Sequence, residues 1–261
     1  MENGLTVLKV GGSLLENDEY IKKLARFTSK IKGHKIIVHG GGSKTTEVSK
    51  MMGITPKMID GRRVTDADTL DAATMVYAGL YNKKVVSIFQ KYDCLSLGMS
   101  GADLNSIRSK KRPVDSIDYG YVGDIENINV TAIRMLLKMG VIPIFCAITH
   151  DNDGQLLNTN ADTIATLIAT QMTDRYDSVR LIFFMDRAGV MMDPDDDSTL
   201  IETLDFKTYK NLKMDSVITL GMIPKLDNAF YALIKGVKEV WITGLPFVND
   251  PENLKGTRIF E

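Results

Sequence analysis

Cysteine, histidine and tryptophan are all scarce in this chain. Its two cysteines, Cys94 and Cys146, stand far apart with no Cys-x-x-Cys and no Cys/His cluster. That excludes a disulfide scaffold and a structural zinc of the usual ligand spacing, and points to a reducing compartment. The three histidines, His34, His39 and His150, offer no His-Glu-x-x-His. Charge of one sign is lacking too: 32 Lys plus Arg against 33 Asp plus Glu leave a net −1. Such a chain has no global field to draw it onto DNA or an anionic membrane, so any anion it binds is held by a local site. Apolar runs are short, Val141–Ile148 being typical, far below the roughly 20 residues that span a bilayer. The opening MENGLTVLKV shows neither a basic n-region nor a long apolar h-region. The expectation is a cytoplasmic protein that no membrane holds.

What is present is an ordinary globular balance, 44% hydrophobic and 25% charged over 261 residues, enough to hide roughly 70–75% of the unfolded surface. Short β-branched runs alternate with helical-period runs. Leu5–Val10, Lys35–His39, Asp93–Met99, the Gly120–Gly123 region, Val141–Ile148, Val179–Met185, Val240–Thr243 and Gly256–Ile259 read as strands. Helical spacing marks Glu19–Ile31, Lys44 to about Gly53, Val130–Met139, Asn160 to about Met172, Thr208–Ser216 and Pro224–Gly236, with one long amphipathic helix over Asp66–Tyr92. Asp193–Asp197 reads as a solvated acidic loop. Continuous apolar strands alternating with helices predict an α/β fold, a three-layer αβα sandwich around a mainly parallel central sheet. The expected organisation is one structural domain with two lobes sharing that sheet, 1–172 and 173–261.

Two strands run into glycines, Lys9-Val10-Gly11-Gly12-Ser13 and His39-Gly40-Gly41-Gly42-Ser43. In open α/β sheets ligands sit beyond the carboxyl ends of strands. There glycine lets backbone N–H groups approach a phosphate or carboxylate, and the next helix presents its positive end. A paired glycine can also be no more than a tight turn; two such runs, each between strand and helix, favour a binding role. Neither turn carries a Walker A loop or the dinucleotide Gly-x-Gly-x-x-Gly. Asn158-Thr159-Asn160-Ala161-Asp162 places an amide cap and a carboxylate at a helix start. Gly221-Met222-Ile223-Pro224-Lys225 sets a lysine where the helix dipole opposes it, unless an anion compensates. Asp60-Gly61-Arg62-Arg63-Val64-Thr65 offers arginines whose fork can clamp a carboxylate.

Taken in order along nearly the whole chain, these segments resemble the amino acid kinase family, which has the carbamate-kinase-like fold, and within it the acyl-glutamate branch. Ser100-Gly101-x-Asp103, Gly120-x-Val122-Gly123, Asp186-x-x-Gly189-Val190 and Gly256-Thr257-x-Ile259 extend the match. The resemblance implies ATP-dependent phosphorylation of the side-chain carboxylate of an N-acylated glutamate, a step of arginine biosynthesis. It implies that Lys9 and Lys225 stabilise the transferring phosphoryl group and that Asp162 holds both lysines. Gly11 and Gly12 would line the phosphates. Gly41, Gly42, Arg63 and Asn158 would hold the acyl-glutamate. Asp186, Gly189, Val190 and Met191, with residues near Val217–Thr219, would face the nucleotide. ATP and Mg²⁺ are the implied cofactors, the metal riding on the phosphates with no protein metal site.

The chemistry agrees with that assignment. A carboxylate with a pKa near 4 is ionised at neutral pH, so no histidine base is required. The reaction needs two anions brought together and cations around the transferred group. Ser43-Lys44-Thr45-Thr46 is more polar than an acetyl pocket calls for; Lys44 reads either as a solvated first-turn residue or, with its neighbours, as a partner for the extra carboxylate of N-succinyl-glutamate. The sequence begins eight residues before Lys9, without the additional N-terminal helix of arginine-inhibited hexamers, so the resemblance implies a homodimer insensitive to arginine. Tyr77, Leu80, Tyr81 and Ile88 would supply its two-fold face, or bury the helix in its own subunit. Rival readings are a kinase of the same family acting on aspartate, glutamate, carbamate or a nucleoside monophosphate, and an ATP sensor without turnover. No nucleic-acid partner is expected.

Overall fold

The structure is a computed structural model that describes residues 3–59, 62–193, 196–218 and 221–261; the side chains of Arg62, Asp197 and Pro246 are outside the description. Strand β1 (Gly4–Val10) leads through a 3-10 turn (Gly12–Glu16) to α1 (Asp18–Lys30) and β2 (His34–His39). Helix α2 (Gly42–Met51) precedes a small hairpin, β3 (Lys57–Ile59) and β4 (Arg62–Val64). Next come α3 (Ala67–Thr74), a π-helical segment (Met75–Tyr81) and α4 (Asn82–Gln90) in one continuous rod, then β5 (Ser96–Met99). The chain continues with β6 (Ile107–Lys111), β7 (Gly123–Ile128), α5 (Val130–Lys138), β8 (Ile142–Cys146), β9 (Ile148–His150), β10 (Leu156–Asn158) and α6 (Ala161–Gln171). It ends with β11 (Ser178–Met185), β12 (Thr203–Leu204), α7 (Phe206–Met214), α8 (Ile223–Ile234), β13 (Glu239–Gly244) and β14 (Thr257–Ile259).

Eight strands form the central sheet in the order β12-β14-β13-β11-β1-β2-β8-β5. All its pairs are parallel except β13 with β14. Strands β1 and β8 are buried almost end to end, which is why they read as unbroken apolar runs instead of alternating ones. Crossovers run both ways along the sheet: β1 to β2 by α1, and β8 to β11 by α6. Right-handed connections in opposite directions place their helices on opposite faces. Helix α1 therefore covers one face through Ile21, Leu24, Ala25 and Phe27. Helix α6 covers the other through Ile164, Ala165, Ile168 and Ala169, and packs against α8. This is the expected mainly parallel αβα sandwich, and among the described residues no helix is long and apolar enough to cross a membrane.

Several elements differ from the sequence reading. Val141–Ile148 is not one strand: β8 ends at Cys146 and β9 joins a second sheet of order β10-β9-β6-β7. The polar strands β6 (IRSKK) and β7 (GDIENI) carry too little apolar alternation to announce themselves. Gly120–Gly123 contributes bridges, Thr65 with Gly120 and Val122 with Asn158, before β7 begins. The helix over Asp66–Tyr92 is present but contains a π segment, which changes the faces of the residues beyond it. Tyr77 and Tyr81 are buried in their own subunit, while Leu80 is 48% exposed, so the expected two-fold face is divided. The Asp193–Asp197 reading extends onto residues outside the description.

Candidate active site

The centre of the site is a buried charge triad. Lys9 is the penultimate residue of β1, a central strand, and its Nζ lies 2.8 Å from Asp162 Oδ1. Lys225, in the first turn of α8, donates to Asp162 Oδ1 at 3.1 Å and Oδ2 at 3.2 Å. Asp162 stands in the first turn of α6, where Asn160 caps the helix by accepting from the Thr163 N–H; the helix dipole favours its negative charge. Packing of α6 on β1 and of α8 on α6 brings together three residues remote in sequence. Burial alone would push the Asp162 carboxyl up, but the Lys9 and Lys225 ammoniums hold it well below the usual carboxylate range. Burial and the neighbouring Lys9 push the Lys225 ammonium down to about 8, against the pull of Asp162. Two cations share one anion, so the cluster carries a net positive charge in a poorly solvated place, ready for a further anion.

Both glycine turns open next to it. They touch: a Cβ on Gly12 would lie 2.7 Å from the Gly42 nitrogen and 2.9 Å from the Gly41 carbonyl carbon. No side chain larger than hydrogen lets the turns after β1 and β2 approach so closely. Gly41 caps α2 without a side chain, so N–H groups of its first turn remain for a ligand. Arg63 leans on the same turn, with Nη2 donating to the Gly42 carbonyl at 3.2 Å and to Thr46 Oγ1 at 2.8 Å. Its Nη1 is buried with no partner, and an unpaired buried guanidinium nitrogen is costly unless a ligand completes it. Asn158, at the end of β10, donates to Thr65 Oγ1 at 3.1 Å.

Beyond β11 the chain makes a second compartment. Ser13, in the turn after β1, donates to both oxygens of Asp186, at 3.1 and 2.9 Å, tying the turns after β1 and β11. A largely apolar cavity of about 210 Å³ follows, lined by Met185, Arg187, Gly189, Val190, Met191, Val217, Ile218 and Met222. Gly189 has no room for a Cβ beside Leu200 and Thr257, and Thr257 Oγ1 accepts from the Val190 N–H at 2.8 Å. A flat apolar ring at one end of a polyanion fits this compartment, with the glycine turns and lysines at the other.

The amino acid kinase family profile matches residues 4–244. The chain belongs to the amino acid kinase family. The acetylglutamate kinase of Bacteroides thetaiotaomicron is 44% identical over 259 residues, covering 99% of this chain and 99% of the relative. That of Azobacteroides pseudotrichonymphae is 48% identical over 240 residues, 92% of this chain and 93% of the relative. Giardia carbamate kinase superposes with a TM-score of 0.71 at 15% identity, covering 98% of each chain, a likeness of fold.

Within this family member the structure gathers most residues singled out from sequence. Lys9, Asp162 and Lys225 form the triad; Gly12, Gly41, Gly42 and Arg63 meet at the turns; Gly189, Val190 and Met191 line the cavity, and Asp186 is tied to the turn after β1 through Ser13. Asn158 joins them through Thr65, which lies two residues beyond Arg63. Asp60, Gly61 and Thr219 lie outside the described residues. Lys44 Nζ pairs with Glu47 in its own helix at 2.6 Å, a solvent-exposed pair of the kind that holds its side chains only weakly. The sequence reading named Ser13 and Thr46 only within their segments and gave neither an individual role. It gave no role to His39 and Asn82, whose partnership is purely tertiary.

Proposed function

We infer that this protein is an acetylglutamate kinase, moving the γ-phosphoryl group of ATP to the side-chain carboxylate of N-acetyl-L-glutamate in arginine biosynthesis. The observation that carries the reading is the Lys9–Asp162–Lys225 triad facing the junction of two touching glycine turns, in a chain close in length and sequence to acetylglutamate kinases. The acyl-glutamate would lie on the Gly41–Gly42 turn, its α-carboxylate taking the free Nη1 of Arg63 and its amide meeting Asn158. The triphosphate would lie on Gly11 and Gly12, with the base in the cavity beyond Asp186. The acceptor is already an anion, so no base removes a proton; the residues align two anions and neutralise the charge that grows between them. Lys9 and Lys225 would do this together, and Asp162 would offset their mutual repulsion before substrate arrives.

Among the described residues no three His, Cys, Asp or Glu side chains come together, and Asp162 is engaged by both lysines. Mg²⁺ would ride on the nucleotide phosphates and supply further positive charge there. The acceptor lobe would be residues 1–172 and the nucleotide lobe 173–261, working in the cytoplasm. The chain would act as a homodimer. What supports that is the outer side of the α3–α4 rod, where Met75 and Leu80 are exposed, and the neighbourhood of edge strand β5, where Leu95 and Leu97 are exposed; such an edge invites pairing with a second copy.

The decisive experiment is ADP release from Mg-ATP with and without N-acetylglutamate. Acceptor-dependent release is expected, and a nucleotide sensor would bind ATP with no such release. Replacing N-acetylglutamate by N-succinylglutamate, aspartate or carbamate then ranks the acceptors; faster turnover on any of these than on the acetyl compound would overturn the assignment of substrate. Arg63→Lys should raise KM for acyl-glutamate at least tenfold with KM for ATP little changed, because an ammonium cannot reproduce the guanidinium fork.

A further inference from the structure

His39 and Asn82 take no part in the chemistry above, yet both are buried, at 0% and 1% exposure. The ring of His39 follows from its partners. Its Nδ1 stands 2.9 Å from the Gly40 carbonyl, which can only accept, so Nδ1 carries the proton and Nε2 is an acceptor. Asn82 Nδ2 donates to that Nε2 at 3.2 Å and to the Ile144 carbonyl at 2.8 Å. Its Oδ1 accepts from Lys83 Nζ at 3.3 Å. On the far side Gly98 leaves the space the amide needs, since a Cβ there would overlap Asn82 Oδ1. The amide is thus fixed from β8, from edge strand β5 and from its own helix, and it passes that fixity to the residue preceding Gly40-Gly41-Gly42.

The same rod touches the turn a second time. The ring of Tyr77 fills the place a Cβ on Gly41 would take. Tyr77 and Asn82 are five residues apart, and the segment joining them is π-helical. An α-helix would turn two such residues well away from each other, whereas a π turn, with i→i+5 hydrogen bonds, brings them towards one side. The irregular segment is what lets one rod hold the turn from two points.

We propose that Asn82 and His39 are positioning residues for the acceptor turn: with Tyr77 they hold Gly40–Gly42 in the geometry that seats acyl-glutamate beside the phosphate turn. This rests on the acyl-glutamate kinase reading for its substrate, but the mechanical claim does not. Burial keeps the ring neutral by lowering the His39 pKa to about 4, so the acceptor nitrogen is available to Asn82 throughout the neutral range.

Two variants test it, Asn82→Ala, which deletes the amide, and Gly98→Ala, which pushes on it from β5 without touching the site. Both should raise KM for N-acetylglutamate about tenfold or more and lower kcat, while KM for ATP stays within about twofold. Hydrogen exchange at the amides of residues 40–45 should speed up in both, and at β11 should not. Exchange at wild-type rates in the turn overturns the proposal, as does an equal rise in the two KM values, which marks general loosening. If Asn82→Ala does not fold, Gly98→Ala decides alone. If the wild-type protein shows no acyl-glutamate turnover, the functional reading fails and the exchange measurement still judges the positioning claim.

Discussion

Lys225 is the residue whose chemistry is most exposed to measurement. Its ammonium sits near pKa 8 because burial and Lys9 disfavour the charge that Asp162 supports. Loss of a proton above pH 8 removes one of the two cations proposed to stabilise the transferred phosphoryl group, so kcat/KM, which reports the free enzyme, should fall along a single-proton limb above about pH 8. Asp162→Asn removes the supporting charge and should shift that limb to lower pH; a profile unchanged in this variant would contradict the triad's electrostatics. Lys9→Ala and Lys225→Ala should each lower kcat more than tenfold, a transition-state loss above about 1.4 kcal/mol. Of these residues the sequence marked each singly, Lys225 by its unfavourable place at a helix start and Asp162 by its favourable one. That Asp162 holds both lysines was implied only by the family resemblance, and packing sets the distances.

At the scale of elements, the two glycine turns act as one surface. A methyl group on Gly12 would strike backbone atoms of Gly41 and Gly42, and backbone cannot swing aside as a flexible side-chain end can. Gly12→Ala should therefore cost activity at least a hundredfold by parting the turns, with far-UV circular dichroism unchanged; near-normal kcat would show that the contact is dispensable. Gly42→Ala is the contrasting case, since nothing lies within 4 Å of a Cβ there, and any loss it causes belongs to the ligand. Strands β1, β2 and β11 were legible because each is apolar on both faces. The antiparallel strands β6 and β7 were not, because their pairing, Arg108 and Lys110 with Glu126 for example, is written in charges rather than in hydrophobic alternation. The π segment was invisible for a further reason: apolar period fits an α-helix on either side of it, and a one-residue shift of face shows only when partners are in place.

For the molecule as a whole, acid should be destabilising before any catalytic group titrates. His39 is neutral in the folded protein with a pKa of about 4, against 6.5 when unfolded. The unfolded chain thus binds the extra proton between those values, and stability falls as pH drops from 6.5 towards 4, then levels off. At pH 5 this group alone removes about 2 kcal/mol, measurable as a lower urea midpoint than at pH 7; a midpoint that holds steady between these pH values would refute the buried neutral ring. Assembly is the second molecular prediction. Leu80→Glu and Leu97→Lys should shift the sedimenting species from dimer to monomer, since a charge on a closely packed two-fold face is met by its own copy. A single species unaffected by both would remove the proposed face.

The order of strands and helices, the parallel character of the sheet, the two anion-binding turns and the identity of the charged residues were set by local pattern, because apolar period, caps and glycine act within a few residues of themselves. Tertiary structure decided the distances at which Lys9 and Lys225, more than two hundred residues apart, close on the one carboxylate that the family resemblance had assigned to both. It alone bound Asn82 to His39. Side-chain direction and desolvation depend on which neighbours arrive from elsewhere in the chain, and no local pattern carries that information.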